Sequence, residues 1–286
     1  MVKNQIKTVL LLGMLTGIFL AIGALVGGRT GLLVGLLFAG GMNFVSYWFS
    51  DKIVLAMYGA KEADRNKYPE LYSLVEEIRH SAGLPMPKVY VLEIPQSNAF
   101  ATGRNAEHAA VAVTTGLLKI LNRNELKGVL AHEIGHIKNK DILISSIAAT
   151  IAGVISYIAM MARWGAIFGG FGNRDNQGNG NIIELLVLAI LAPIMAMIIQ
   201  FAISRSREFL ADETGAKLVR DPFSLASALE KIEKNVHSHP FQRQGTTEAT
   251  AHLFISNPLK GASFLELFST HPTTKKRVEK LRSMKL

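Results

Sequence analysis

The 286-residue chain contains no cysteine. Disulfides and thiolate ligands are thereby excluded, and any bound metal must be held by nitrogen and oxygen. It also lacks an RNA- or DNA-reading motif. The formal charge of +9 is therefore read as a bias of basic residues towards one membrane face and towards anionic lipid, with no nucleic-acid partner. Charge is nearly absent from four long stretches, residues 8–26, 32–49, 142–161 and 182–203. Each approaches the length needed to span a hydrocarbon core of about 30 Å. No small-x-small cleavage site with a polar start follows the first stretch, so it is expected to stay attached as a membrane helix. No internal repeat is present beyond these two apolar hairpins.

The organisation predicted from these runs has four parts: a membrane hairpin over residues 1–50, a polar segment over 51–141, a second hairpin over 142–203 and a polar segment over 204–286. Orientation follows from the basic residues, which are retained on the cytoplasmic side. Residues 51–141 carry 12 Lys/Arg and 204–286 carry 14, whereas the short connections hold only Arg29, Arg163 and Arg174. Both termini and both polar segments are expected to face the cytoplasm. Within the first polar segment, residues 60–82 have helical spacing at Leu71, Leu74, Val75 and Ile78. Three short strands are expected at 88–92, 98–102 and 109–114. In the second, helices are expected at 209–219, 224–235 and 273–284, and a mobile loop at 237–257. The Gly- and Asn-rich residues 169–181 read as a flexible loop on the far side of the membrane.

His132-Glu133-Ile134-Gly135-His136 carries the chemistry. Residues four apart on an α-helix lie on one face, one turn apart, so both imidazoles can reach one ion. Two imidazoles and a carboxylate at this spacing are the minimum kit for zinc-dependent hydrolysis. Asn122 and Glu125 form a capping-box pattern before Leu126, Val129, Leu130, Ile134 and Ile137, which supply a buried face. The competing reading is two histidines on a core helix bonded to backbone. A catalytic zinc usually has three protein ligands and an open position for water. Glu208 lies a few residues after the fourth run and His136 a few before the third, so an antiparallel hairpin brings both to one membrane face. Asp212, one turn beyond Glu208, suits a hydrogen bond to the free nitrogen of a ligating His. The alternative is that Arg205, Arg207, Glu208 and Asp212 form a solvated charge cluster, with Asp141, Glu213 and His271 as rival ligands.

These residues resemble a known family. The HExxH segment, Glu208-Phe-Leu-Ala-Asp212, Ser269-Thr-His-Pro-Thr-Thr-Lys-Lys-Arg277 and Asn98-Ala-Phe-Ala101 are together similar to the M48 membrane metalloproteases, over nearly the whole chain. The resemblance implies a mainly α membrane protein with four transmembrane helices and a cytosolic zincin-like α+β metalloprotease domain containing a small three-stranded sheet. It further implies a zinc endopeptidase of the cytoplasmic membrane, active in quality control and stress response on unfolded or misfolded polypeptides. One Zn2+ per chain would be held by His132, His136 and Glu208, with Glu133 as general base. His271 is the family's candidate for stabilising the developing oxyanion, supported by Arg277; the competing role for Thr270-His271-Pro272 is capping the last helix. Asn98, Ala99, Phe100 and Ala101 would form an exposed edge strand to which a substrate backbone adds. The rival classes are an inactive membrane scaffold with a closed structural zinc site and a transporter. The near-absence of ionisable groups in the runs argues against a transporter.

Overall fold

The computed structural model describes residues 2–168, 205–238, 253, 255 and 272–286. The expected loop at 169–181, the fourth apolar run, His271 and most of 237–257 lie outside the described residues.

The first two apolar runs form one hairpin, α1 (Val2–Trp48), whose legs meet at Gly27 and Gly28, with Gly28 at φ 54°. That positive φ favours glycine, which has no Cβ to clash. The legs touch along glycines. A Cβ on Gly23 would lie 2.2 Å from the Gly31 carbonyl oxygen, and one on Gly35 would lie 2.5 Å from that of Phe19. Small residues at these positions let the two helices approach closely. Residues 5–24 and 27–48 are long and apolar enough to cross a membrane, and only 17% of each apolar window is buried. A core helix of a soluble protein would be mostly covered. Here Leu33, Leu37 and Phe38 point outward, Leu37 being 77% exposed, which supports membrane association.

A second short helix, α2 (Ser50–Met57), leads into the polar segment. There β1 (Lys61–Glu62), α3 (Pro69–Ala82), β2 (Lys88–Leu92), β3 (Ala99–Gly103) and β4 (Ala109–Thr114) follow. The sheet has four strands in the order β1-β2-β4-β3, with β2 and β4 parallel and the other pairs antiparallel. The expectation of three strands is corrected by β1, whose two exposed residues carry no period. Helix α3 starts later than expected because Pro69, lacking an N–H, occupies its first turn. Both sheet faces are covered, as a parallel pair requires. Val111 and Val113 pack with Leu74, Val75 and Ile78 of α3, while Ala110 and Ala112 pack with Val54 and Leu55 of α2 and Ala149 beyond.

After β4 come α4 (Thr115–Ile120), α5 (Arg123–Lys138) and α6 (Ile142–Phe168). Further on lie α7 (Arg205–Val219), α8 (Pro222–Ser238) and α9 (Thr274–Arg282). Helix α5 begins with the expected capping box: Asn122 Oδ1 accepts from the Glu125 N–H and Glu125 Oε2 from the Asn122 N–H, both at 2.9 Å. Its buried stripe, including Val129, Leu130 and Ile134, joins the main core. Helix α6 starts beside the sheet and packs Ile144, Ile147, Ile151 and Ile155 against Leu11 and Leu15 of the hairpin. His237 and Ser238 continue α8 and so depart from the loop expected at 237–257, within which Leu253 and Ile255 are buried.

Candidate metal centre

Helices α5 and α7 cross through glycines, which lets their backbones nearly touch. A Cβ on Gly215 would meet the Ala131 carbonyl carbon and the His132 nitrogen at 2.8 Å, and one on Gly135 would meet the Ala211 oxygen at 3.1 Å. This seam sets His132, His136 and Glu208 side by side, with candidate ligand atoms within 4.8 Å of one another. The two Nε2 atoms are 3.2 Å apart. Glu208 Oε2 is 3.7 Å from His132 Nε2, and its Oε1 is 3.7 Å from His136 Nε2.

The proton positions follow from the partners. His132 Nδ1 lies 2.9 Å from Asp212 Oδ1, and His136 Nδ1 lies 3.1 Å from Asp141 Oδ1. An ionised carboxylate only accepts, so each Nδ1 donates a hydrogen to its carboxylate and each ring turns its Nε2 into the site. Two imidazole nitrogens and a carboxylate then face one point, an arrangement that suits a cation. Ligand atoms about 2.0–2.1 Å from a tetrahedral zinc stand roughly 3.3 Å from each other, so this triangle fits such an ion. Burial opposes charging of His136, but Asp141, with Glu208 and Glu133, pushes its pKa up to about 10. The cluster draws positive charge.

Behind the ligands, Arg277 of α9 donates to Asp212 twice, Nε to Oδ2 at 2.8 Å and NH2 to Oδ1 at 2.7 Å. Both residues are buried. Burial alone would raise Asp212, yet the guanidinium holds its carboxyl well below the usual range. Arg277 NH1 also donates to the Ile255 carbonyl at 2.8 Å and lies 3.7 Å from Glu208. Arg277 therefore fixes Asp212, and through it the His132 ring.

Glu133 is 3% exposed and lines the same cleft as the three ligands. Burial pushes its pKa up, with His132 and His136 opposing. Ala101, Asp141, Ile142, Ser145, Leu253 and Ile255 complete the wall. The edge-strand expectation is corrected in one respect. Strand β3 does lie at the sheet edge, but Asn98, Ala99, Phe100 and Ala101 are all buried. Helix α6 covers the far end of β3, where Ser146 Oγ bonds Thr102 Oγ1 at 2.8 Å and accepts from the Gly103 N–H at 3.1 Å. Of the four residues only Ala101 reaches the cleft. Asn98 sits ahead of the strand, its Oδ1 accepting from the Ile255 N–H at 3.2 Å. Among the rival ligands, Glu213 is turned to Lys217 at 2.6 Å and Asp141 bonds His136 from behind.

The sequence profile of peptidase family M48 matches residues 65–285. This chain belongs to peptidase family M48. As an M48 peptidase it is a metalloprotease, and its relatives agree over almost all of its length. It is 55% identical over 282 residues to "Protease HtpX homolog" of Persephonella marina, covering 98% of this chain and 97% of that protein. It is 53% identical over 279 residues to "Protease HtpX homolog" of Pyrococcus furiosus, covering 98% and 95%. The crystal structure of Ste24p from S. mikatae aligns with a TM-score of 0.52 at 18% identity, covering 98% of this M48 chain and 66% of that one. At that identity the likeness shows a shared fold. Leu253 and Ile255 are the cleft-side residues that sequence reasoning missed, and Asp141, read there as a rival ligand, stands instead behind His136. Leu253 and Ile255, apolar residues in a stretch with little pattern, carry no signal that could have found them.

Proposed function

We propose that this protein is a zinc endopeptidase of the cytoplasmic membrane that cleaves unfolded or damaged polypeptides, chiefly membrane proteins, in quality control and stress response. The observation that carries the reading is the convergence of two Nε2 atoms, 3.2 Å apart, on the Glu208 carboxylate, each of them 3.7 Å from one of its oxygens. His132, His136 and Glu208 would hold zinc, which when bound supplies Lewis acidity and a water of lowered pKa. Glu133, buried and raised, takes a proton from the water at its carboxylate and returns it to the departing amine. Asp212 and Arg277 keep His132 in the ligating tautomer. His271 is assigned to stabilising the oxyanion.

Ala101 of β3, in the wall of the cleft that Glu133 also lines, supports addition of a substrate backbone to the strand at that point. Such pairing selects for extended chain rather than for sequence, which suits unfolded substrates. The distribution of basic residues supports a multi-pass topology with both polar segments inside. The test uses full-length, detergent-purified protein with casein as an unfolded substrate. Zinc-dependent fragments, suppressed by chelator and absent in Glu133→Gln, are expected. Equal cleavage by Glu133→Gln would refute the role of that carboxylate, and chelator-insensitive cleavage would refute the metal.

A further inference from the structure

Helix α5 ends in a particular way. Lys140 adopts φ 59°, the left-handed region that residues with a Cβ seldom enter. Its N–H bonds the Ile137 carbonyl at 3.1 Å, and the next N–H, of Asp141, bonds the His136 carbonyl at 3.3 Å. This pair of bonds is the Schellman closure of a helix, usually made with glycine at the left-handed position. Here it folds the chain back so that Asp141 returns to the very residue whose carbonyl it holds. Its Oδ1 and Oδ2 lie 3.1 and 3.2 Å from His136 Nδ1. Asp141 is 3% exposed and stands directly before α6, where its carbonyl accepts from the Ser145 N–H.

We infer that Asp141 is the positioning residue for the second histidine ligand: it locks His136 as the Nδ1–H tautomer and aims Nε2 at the metal, as Asp212 does for His132. The two supports differ in origin. Asp212 comes from α7, is clamped by Arg277 and acts across the helix seam. Asp141 comes from the turn that joins the motif helix to α6, so the orientation of His136 is tied to the first turn of the helix that packs on the membrane hairpin. Carboxylates behind ligating histidines fix the ring and raise its basicity, and losing one lowers metal affinity by roughly 10–100-fold. Arg207 of α7 faces Asp141 and Glu208 electrostatically.

This inference rests on the metal triad proposed above, and the experiment separates the two. Zinc affinity of the full-length detergent-purified protein is measured by competition with a chromophoric chelator, independently of proteolysis. Asp141→Ala is expected to bind zinc about 10–100-fold more weakly. Asp141→Asn keeps the shape and one acceptor oxygen, so a smaller loss is expected, and it serves if Asp141→Ala does not accumulate. In a His136→Ala background, Asp141→Ala should change the remaining affinity less than about twofold, since coupled residues are not additive. A carboxylate that merely caps α6 would weaken zinc equally in both backgrounds, and that result overturns the assignment. Wild-type affinity in whichever variant folds also overturns it. No zinc binding by the wild type would overturn the triad itself, and the role of Asp141 with it.

Discussion

Arg277 grips Asp212 with two hydrogen bonds of 2.7 and 2.8 Å in a fully buried pair. Removing one partner strands the other charge. Arg277→Met is expected to destabilise the protein by about 3–5 kcal/mol, seen as a lower thermal midpoint in detergent. Because Arg277 depresses Asp212, the pair's stabilisation is present above the ordinary carboxylate range near pH 4 and fades as pH falls through the lower folded value. In Arg277→Met this depression is lost, so Asp212 should protonate at higher pH and acid unfolding should begin earlier. Circular dichroism against pH, for both proteins, checks the direction.

Glu133 is displaced the opposite way. Burial favours its neutral form, so the acid limb of kcat/KM should lie above the ordinary carboxylate range of about 4.3. Activity is present above that limb and lost below it. Glu133→Gln should lose at least about 10²–10⁴-fold in kcat while keeping its zinc, measured by elemental analysis alongside single-turnover cleavage. A zinc-free Glu133→Gln protein would instead place this side chain among the ligands.

The glycine seam makes a third expectation. A methyl group at Gly215 would sit 2.8 Å from the backbone of Ala131 and His132, with no flexible side chain able to yield. Gly215→Ala should therefore separate α5 from α7, cost about 1–3 kcal/mol of stability as an overpacked contact and weaken zinc binding together with it. Gly13→Ala, where a Cβ meets nothing within 4 Å, should leave zinc binding unchanged.

Within the hairpin, Asn43 Nδ2 donates to Thr16 Oγ1 at 2.9 Å. Hydrogen bonds between membrane helices contribute only about 0.6–2 kcal/mol. Thr16→Val should accordingly lower the thermal midpoint slightly and leave casein cleavage intact. A collapse of activity would show that the hairpin does more than hold the enzyme at the lipid.

Much of this architecture is legible in the residues. Strands β2 and β4 fall at the expected bounds because short β-branched and alanine runs end at clear turn signals, and the capping box marks the start of α5. Asp212 behind His132 follows from helical spacing, one turn from Glu208. Other features were hidden because they depend on distant contacts. β1 is two exposed residues that become a strand only by pairing with β2. The burial of β3 depends on Ser146 of α6, and that of Ile255 on Asn98 and Arg277. The use of Asp141 depends on a left-handed lysine, a conformation that residue type does not announce.

Helix α6 opens at the cleft with Ile142 and Ser145 and, two turns later, is already wedged against the apolar hairpin through Ile151 and Ile155. A helix advances 1.5 Å per residue and barely stretches, so it acts as a yardstick. The cutting edge is thereby held at one fixed span from the apolar hairpin, a gap that helix length sets and side chains do not.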